Sequence, residues 1–316
     1  MRFFKKSKGS GAWLAINVGS DGLRAASIQR QLDAKPAITL CLFHAAPASG
    51  VHAPLEKLGK ELQAARYQVT TLLGAGQYQM LSVDAPNVPA DELKTAVRWR
   101  LKDMIDFHVD DATIDVLAIP ADKAPSNRTP TMFAIAARNQ VVRDRQELFD
   151  AAKVPLKAID IPELAQRNIA QLAEPEGRAL AMLTFDTEGG MLTVTFAGEL
   201  FLSRRIDVPL SQLNDPNPDY RVTVYDRITL ELQRSLDHFD RQFSTLSLAK
   251  LMLGPIGDAG APLLAYLTSN LYVPVEQFDL ASVFDFSATP ELAAHELQCQ
   301  FFMTLGAALR LEEVKL

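Results

Sequence analysis

The chain is poor in the residues that build metal and redox centres. Its 316 residues include two cysteines, Cys41 and Cys299, and five histidines, His44, His52, His108, His238 and His295. The cysteines are too far apart to share a metal-ligand spacing, and two thiols make no disulfide framework. No two histidines stand in HxH or HxxxH spacing, so no metal site is expected. Long apolar runs are missing as well. The longest stretch free of Asp, Glu, Lys and Arg, from Pro36 to Leu55, is interrupted by Pro47, Gly50 and Pro54. A spanning helix needs about 20 continuous apolar residues. The opening MRFFKKSKGSG is basic, but its apolar part is only Phe3-Phe4, so no secretory signal is read there. These absences predict a soluble, cytoplasmic chain. There is no cationic surplus: 32 Lys and Arg against 38 Asp and Glu give −6. That argues against a surface built wholly for nucleic acid, while leaving room for a local basic patch. No GxSxG elbow surrounds Ser20, Ser27 or Ser203, so hydrolase chemistry lacks its nucleophile.

What is present is ordinary globular material. Hydrophobic residues make up 48% and charged residues 22%, enough for a large core. At about 150 residues per domain the length suggests two domains or two lobes. Residues 1–11 read as a flexible basic tail whose Phe3-Phe4 and Arg2, Lys5 and Lys6 give only weak affinity for anionic lipid. Trp13 to Val18 is a short apolar run that ends in Gly19-Ser20-Asp21-Gly22, followed by an alternating run, Leu23 to Ile28. This predicts strand, turn, strand, with Ala37 to Phe43 as a third strand. A helix over 56–66 and a short strand over 69–73 follow.

From Tyr78 the pattern changes. Met80–Val83 reads as a strand. Pro89-Ala90-Asp91 opens a helix with Leu93, Val97, Leu101, Met104 and Ile105 on one face. Strands over 112–119 and 132–137, a Pro-rich loop over 121–129 and a helix over 141–153 complete this block. Asp160-Ile161-Pro162-Glu163 then predicts a helix start, with Asp at the N-cap and Glu at N3. Ala179–Phe185 is a buried-type strand meeting Asp186-Thr187-Glu188-Gly189-Gly190, with strands over 192–196 and 200–205 beyond it. So strand–DxxGG–strand echoes the strand–NxGSDG–strand opening. The echo predicts two lobes, each led by a hairpin whose tip faces a shared cleft. Residues 207–221 read as a loop. Helices over 226–243 and 261–271, a strand over 248–253 and a closing helix over 291–311, broken or tilted near Gly306, finish the chain.

Several of these segments carry a resemblance. Ala96-Val97-Arg98-Trp99, Ile105-Asp106-Phe107, Asp110-Asp111, Ile114-Asp115, Ala136-Ala137-Arg138, Ala158 to Glu163, Glu231 to Asp237 and Leu305 to Arg310, in this order, resemble the PilM family of type IV pilus assembly proteins. Within it the nearest look is to the MshI branch of MSHA pilus biogenesis. The resemblance implies an α/β, actin-like (RNase H-like) two-lobed fold with an FtsA-like inserted α/β subdomain. It implies lobe one at 12–77 and 156–177, the insertion at 78–155, and lobe two at 178–316, with a reduced part around 207–247. It also implies a partner: the cytoplasmic peptide of a PilN-like bitopic inner-membrane protein. That partner, rather than a span of its own, would hold the protein at the inner face of the inner membrane. The acidic stretch Asp103–Asp115 offers complementarity to basic flanks, with Trp99 and Phe107 as aromatic anchors beside Asp110 and Asp111. Packing within the insertion's own core is the other reading of those aromatics.

Actin-like ATPases hold Mg·ATP between two glycine-bearing hairpin turns. The resemblance assigns Asn17, Gly19, Ser20, Arg24, Asp186, Gly189 and Gly190 to that cleft. Three departures point away from its use. Asn17 is neutral where the family carries an acid, and Mg²⁺ prefers hard anionic oxygens. Glu188 stands where a phosphate would approach, and like charges about 4 Å apart cost about 1 kcal/mol even in water. Pro255, in Leu253-Gly254-Pro255-Ile256-Gly257-Asp258, removes a backbone donor. The expectation is therefore a scaffold with no catalytic residues, no metal and no cofactor. An ATP-binding regulator of pilus assembly is the alternative, and a small-molecule kinase on the same fold a third reading.

Overall fold

The computed structural model describes residues 12–32, 34–46, 50–89, 91–120 and 130–311. The basic tail over 1–11 and the loop over 121–129 lie outside the described residues. Two five-stranded sheets share one topology. In the first, β1 (Trp13–Val18), β2 (Gly22–Gln29), β3 (Ala37–Ala45), β4 (Gln68–Leu72) and β8 (Leu156–Asp160) take the order β3-β2-β1-β4-β8. In the second, β9 (Ala179–Phe185), β10 (Gly190–Phe196), β11 (Glu199–Ile206), β12 (Leu248–Leu253) and β13 (Val275–Gln277) take the order β11-β10-β9-β12-β13. Each sheet is an antiparallel meander joined to two parallel strands. The echo between the two hairpins is thus a duplication of whole sheets.

The helices repeat in step. α1 (His52–Glu61) precedes β4, and α6 (Pro218–Gln242) precedes β12, after the short α5 (Leu210–Leu213). α3 (Asn139–Ala151) precedes β8, and α7 (Gly260–Asn270) precedes β13. α4 (Pro162–Ala170) and α8 (His295–Ala308) follow the fifth strand of each sheet. α1 and α3 cover the outer face of the first sheet, burying Leu55, Leu58 and Phe149 against Leu14, Ile16 and Val69. α6 and α7 do the same for the second, with Leu232, Leu236, Phe239 and Leu263. Between the sheets, α4 and α8 join Ala15, Ile28 and Ile38 of the first to Leu180 and Met182 of the second in one core. Apolar area contributes roughly 25 cal/mol per Å² buried, so this shared core couples the lobes.

The α4–α8 crossing is close. A Cβ on Gly306 would sit 2.2 Å from the Ala165 carbonyl oxygen. The expected break near Gly306 is corrected: α8 runs unbroken through that residue. Its glycine serves helix–helix approach rather than helix termination. Asn168 Nδ2 donates to the Gly306 carbonyl at 2.9 Å. Gln166, fully buried, donates to the Met182 carbonyl and Thr193 Oγ1, both at 2.9 Å, and accepts from Thr184 Oγ1 at 2.6 Å. All the polarity of that amide is satisfied, so its burial is tolerated.

A three-stranded antiparallel sheet, ordered β5-β7-β6, comes from β5 (Tyr78–Asp84), β6 (Ala112–Ala118) and β7 (Thr131–Arg138), between β4 and α3 in sequence. α2 (Leu93–Leu101) covers it through Val97 and Leu101, both fully buried, with Leu93 half-buried. Met104 departs from expectation. The helix stops at Leu101, so Met104 leaves the periodic face and is 48% exposed. α3 also differs from its assigned place. Its Phe149 belongs to the core of the first sheet rather than to the three-stranded layer, which is the position its repeat mate α7 holds in the second lobe.

Candidate functional site

A cleft of about 530 Å³ opens between the three-stranded sheet and the second five-stranded sheet. One wall is β5, residues 78–82, and the other is the end of β11, residues 203–206, with Asp207 just beyond it. Buried Glu163 of α4 forms the floor, and the exposed turn residues Ala75 and Gly76 and half-exposed Met104 line its edge. β5 and β11 each end a sheet, so each has a side without a ladder partner in its own sheet. Paired edges of this kind accept an extended polypeptide through main-chain hydrogen bonds.

Three charged or polar side chains hold the floor. The Tyr78 hydroxyl donates to Glu163 Oε2 at 2.5 Å. Arg205 Nη2 donates to the Tyr78 oxygen at 2.8 Å and lies 3.2 Å from Glu163 Oε1. Glu163 is 2% exposed, and a buried carboxylate needs such partners to stay charged. Burial first, and then the Glu163 charge, push the Tyr78 phenol far above its ordinary range. It is a proton donor at any ordinary pH. Burial works against the charge of Arg205, but Tyr78 and Glu163 outweigh it and its pKa rises. Behind Tyr78, Arg145 donates to Thr71 Oγ1, the Leu72 carbonyl and Gln77 Oε1, each at 3.2 Å, and fixes the entry to β5. Sequence reading missed Tyr78, Glu163 and Arg205 as a set. Glu163 was expected as an N3 cap. Instead Ile161 is the N-cap residue with no side-chain cap bond. Asp160 accepts from the Ile161 amide and from Arg310 Nη1.

The four residues expected to bind a partner lie elsewhere. None of Trp99, Phe107, Asp110 and Asp111 lines this cleft. Trp99 is 72% exposed on α2. Phe107 is half-buried, its ring centroid 4.4 Å from the Arg138 guanidinium carbon. Asp110 and Asp111 sit on the exposed turn before β6. Much of the acidic stretch is answered locally: Asp115 by Lys94 at 2.8 Å, Asp110 by Arg98 at 3.5 Å and Asp106 by Arg138 at 3.6 Å. From the same stretch only Met104 reaches the cleft.

The residues assigned to nucleotide are tied into the protein itself. Asn17 Nδ2 donates to Thr304 Oγ1 of α8, and Asn17 Oδ1 accepts from the Leu72 amide, both at 3.1 Å. Arg24 forms a bidentate pair with Asp21 at 2.8 and 2.6 Å and lies over the Phe43 ring. Gly19 donates to the Gly22 carbonyl at 2.8 Å, and Ser20 is exposed. In the second turn, Asp186 Oδ1 accepts from the amides of Glu188 at 2.8 Å and Gly189 at 3.0 Å. Those amides are the type of donor a phosphate would need, and a carboxylate already holds them. Gly189 has φ +150° and no room for a Cβ, which would lie 2.7 Å from the Ile206 oxygen. At Gly190 a Cβ would meet the Phe185 ring at 2.6 Å. The cleft takes Glu188, Gly189 and Gly190 from the second turn and no residue from the first. Among the described residues there is no cluster of three or more metal-ligating side chains. No helix among them is long and apolar enough to cross a membrane.

No protein-family model and no curated protein matches the chain. Among solved structures it is similar to a PilM–PilN type IV pilus biogenesis complex. The identity is 22%, 96% of this chain and 98% of that one are covered, and the TM-score is 0.71. It is also similar to a protein of actin-like ATPase fold and unknown function from Bacteroides thetaiotaomicron. There the identity is 10%, 93% and 100% are covered, and the TM-score is 0.50. At such identities the likeness establishes the fold: this is an actin-like, two-lobed protein.

Proposed function

We propose that this protein is a PilM-like, non-catalytic scaffold of an MSHA-type pilus assembly platform. It lies at the cytoplasmic face of the inner membrane and holds the cytoplasmic end of a PilN-like membrane protein. The observation that carries this reading is the cleft between two edge strands, in a chain that superposes over 96% of its length on a PilM–PilN complex. An extended peptide seated there would pair with β5 or β11, and Arg204, Arg205, Glu188 and Asp207 in the walls would select its side chains. The second hairpin turn, its amides held by Asp186, and the first, its Gly19 amide held by the Gly22 carbonyl and its Arg24 by Asp21, support a scaffold that uses no nucleotide.

Calorimetry tests the reading, with a synthetic peptide of the first dozen cytoplasmic residues of the PilN-like protein of the same genome. Micromolar one-to-one binding is expected, weakened about ten-fold or more by Ser82→Trp, about 1.4 kcal/mol. Ser82 is exposed on β5, so the indole would crowd the cleft without entering the core. Absence of binding to the wild-type chain, or full binding to Ser82→Trp, rejects the site.

A further inference from the structure

A second cavity, of about 730 Å³, lies at the far end of the first sheet, where the described chain begins and ends. Ala12 and Leu311 are both in its wall. Its charged lining is all of one sign: Arg30, Arg66 and Arg310, with Trp13 and Tyr67 as aromatic surface, Ser27 and Thr39 as hydroxyls, and no carboxylate. For a chain of net charge −6 this is a local reversal. Arg310 is partly neutralised, since it binds Asp160 and lies over the Trp13 ring at 5.2 Å. Arg30 and Arg66 form no ion pair with any described residue. Arg30 Nη2 instead donates to the Leu309 carbonyl at 2.7 Å, which fixes its head in the wall. Burial lowers the Arg30 pKa and no carboxylate opposes it. Both arginines are exposed, and both line the same cavity with guanidinium donors left over, the kind of group that receives phosphate oxygens in pairs.

The covalent neighbour of this wall identifies the source of the phosphate. The segment attached to Ala12 carries Arg2, Lys5, Lys6 and Lys8 together with Phe3 and Phe4. Cations beside bulky apolar residues are the composition that partitions to an anionic lipid surface. We infer that this cavity binds the phosphate headgroup of an anionic phospholipid, so that this end of the first lobe faces the bilayer. The site shares no residue with the cleft lined by β5 and β11, and the inference stands apart from the function proposed there.

Vesicle flotation of the full chain tests it, comparing pure phosphatidylcholine with phosphatidylcholine mixed with phosphatidylglycerol. Binding to the anionic vesicles alone is expected, weakening as salt rises. Arg30→Ser with Arg66→Ser should lower it roughly ten- to thirty-fold, and the paired lysine replacements, which keep the charge but not the planar fork, should restore only part of that loss. Arg66 hydrogen-bonds through its side chain to no described residue. If the serine pair lowers the melting temperature, Arg66→Ser alone therefore serves, with about a five-fold loss expected. Undiminished binding by a folded arginine variant overturns the inference, because the basic segment would then act alone. Thermal stabilisation by glycerol phosphate without vesicle binding overturns the lipid source. Binding that emerges only after residues 312–316 are deleted also overturns it, since Glu312 and Glu313 of the chain itself would then be the ligand.

Discussion

The Tyr78 hydroxyl and the Glu163 carboxylate meet at 2.5 Å, 85 residues apart in sequence. They join the first strand of the three-stranded sheet to the helix between the lobes. Arg205, from the last strand of the second lobe's hairpin, completes the contact. Three parts of the chain therefore depend on one carboxylate. Arg205→Ala leaves Glu163 buried with only a phenol for partner and is expected to cost about 1–3 kcal/mol. Glu163→Gln removes the charge that needs compensation, so adding it to Arg205→Ala should cost less than the sum of the two single changes. Urea unfolding of the four members of this cycle measures the coupling.

Much of the fold is legible in the sequence because its strands announce themselves. β1 and β9 are apolar runs that stop at Gly-Ser-Asp-Gly and Asp-Thr-Glu-Gly-Gly, and both were placed at their observed bounds. β8 and β13, the fifth strand of each sheet, were not read as strands. They have five and three residues, and their pairing comes from a neighbour rather than from their own periodicity. The start of α6 lies within residues 207–221, a Pro-, Asn- and Asp-rich segment that reads as loop. Its signals were nonetheless present: Asn217 caps the helix, accepting from the Asp219 and Tyr220 amides, and Pro218 follows in the first turn. The site was less legible. Tyr78 and Arg205 are 127 residues apart, and only tertiary structure brings them together. The aromatic and acidic residues of the insertion were conspicuous in sequence, but the end of α2 and the local ion pairs place them away from the cleft.

Gly306→Ala should be among the most damaging single-methyl changes. The new Cβ would lie 2.2 Å from the Ala165 oxygen and 2.6 Å from its carbonyl carbon. Backbone cannot yield as a side-chain end can, so α4 and α8 would have to separate. A loss of about 2–3 kcal/mol or more is expected, read as a lower urea midpoint. Gly76→Ala, with nothing within 4 Å but φ +73°, should cost only about 1 kcal/mol.

Calorimetry with Mg·ATP should give no dissociation constant tighter than about 1 mM, or −4 kcal/mol. Asn17→Asp combined with Glu188→Gly should not restore binding. The Asp186 carboxylate would still hold the 188 and 189 amides, and residue 17 would still be engaged by Leu72 and Thr304. A micromolar isotherm for the wild-type chain would show instead that the second turn opens to receive phosphate.

Cys41 should resist alkylation at pH 8.5. Burial, with a smaller contribution from Glu291, pushes its pKa up to about 12, so the thiolate is scarce there. Iodoacetamide labelling followed by mass spectrometry should show Cys41 reacting at least about ten-fold more slowly than an unfolded-chain thiol, accelerating above pH 10. The folded state favours the neutral thiol. Its stabilising contribution is intact below the ordinary thiol range and is lost as pH climbs towards 12.

Trp99 and Phe107 separate a binding role from a structural one. Phe107 packs against the core of the three-stranded sheet and lies under Arg138. Its replacement by Ala removes apolar contacts and a cation–π partner, and a loss of about 1–2 kcal/mol in stability is expected. Any weaker peptide binding by that variant is therefore ambiguous. Trp99, at 72% exposure, contributes little to the fold, and its replacement by Ala should leave the urea midpoint within about 0.5 kcal/mol of wild type. It lies outside the cleft walls, so the peptide that Ser82→Trp displaces should bind the Trp99→Ala variant at full strength. If Trp99→Ala instead weakens binding by about 1–3 kcal/mol with unchanged stability, the partner extends from the cleft across the outer face of α2.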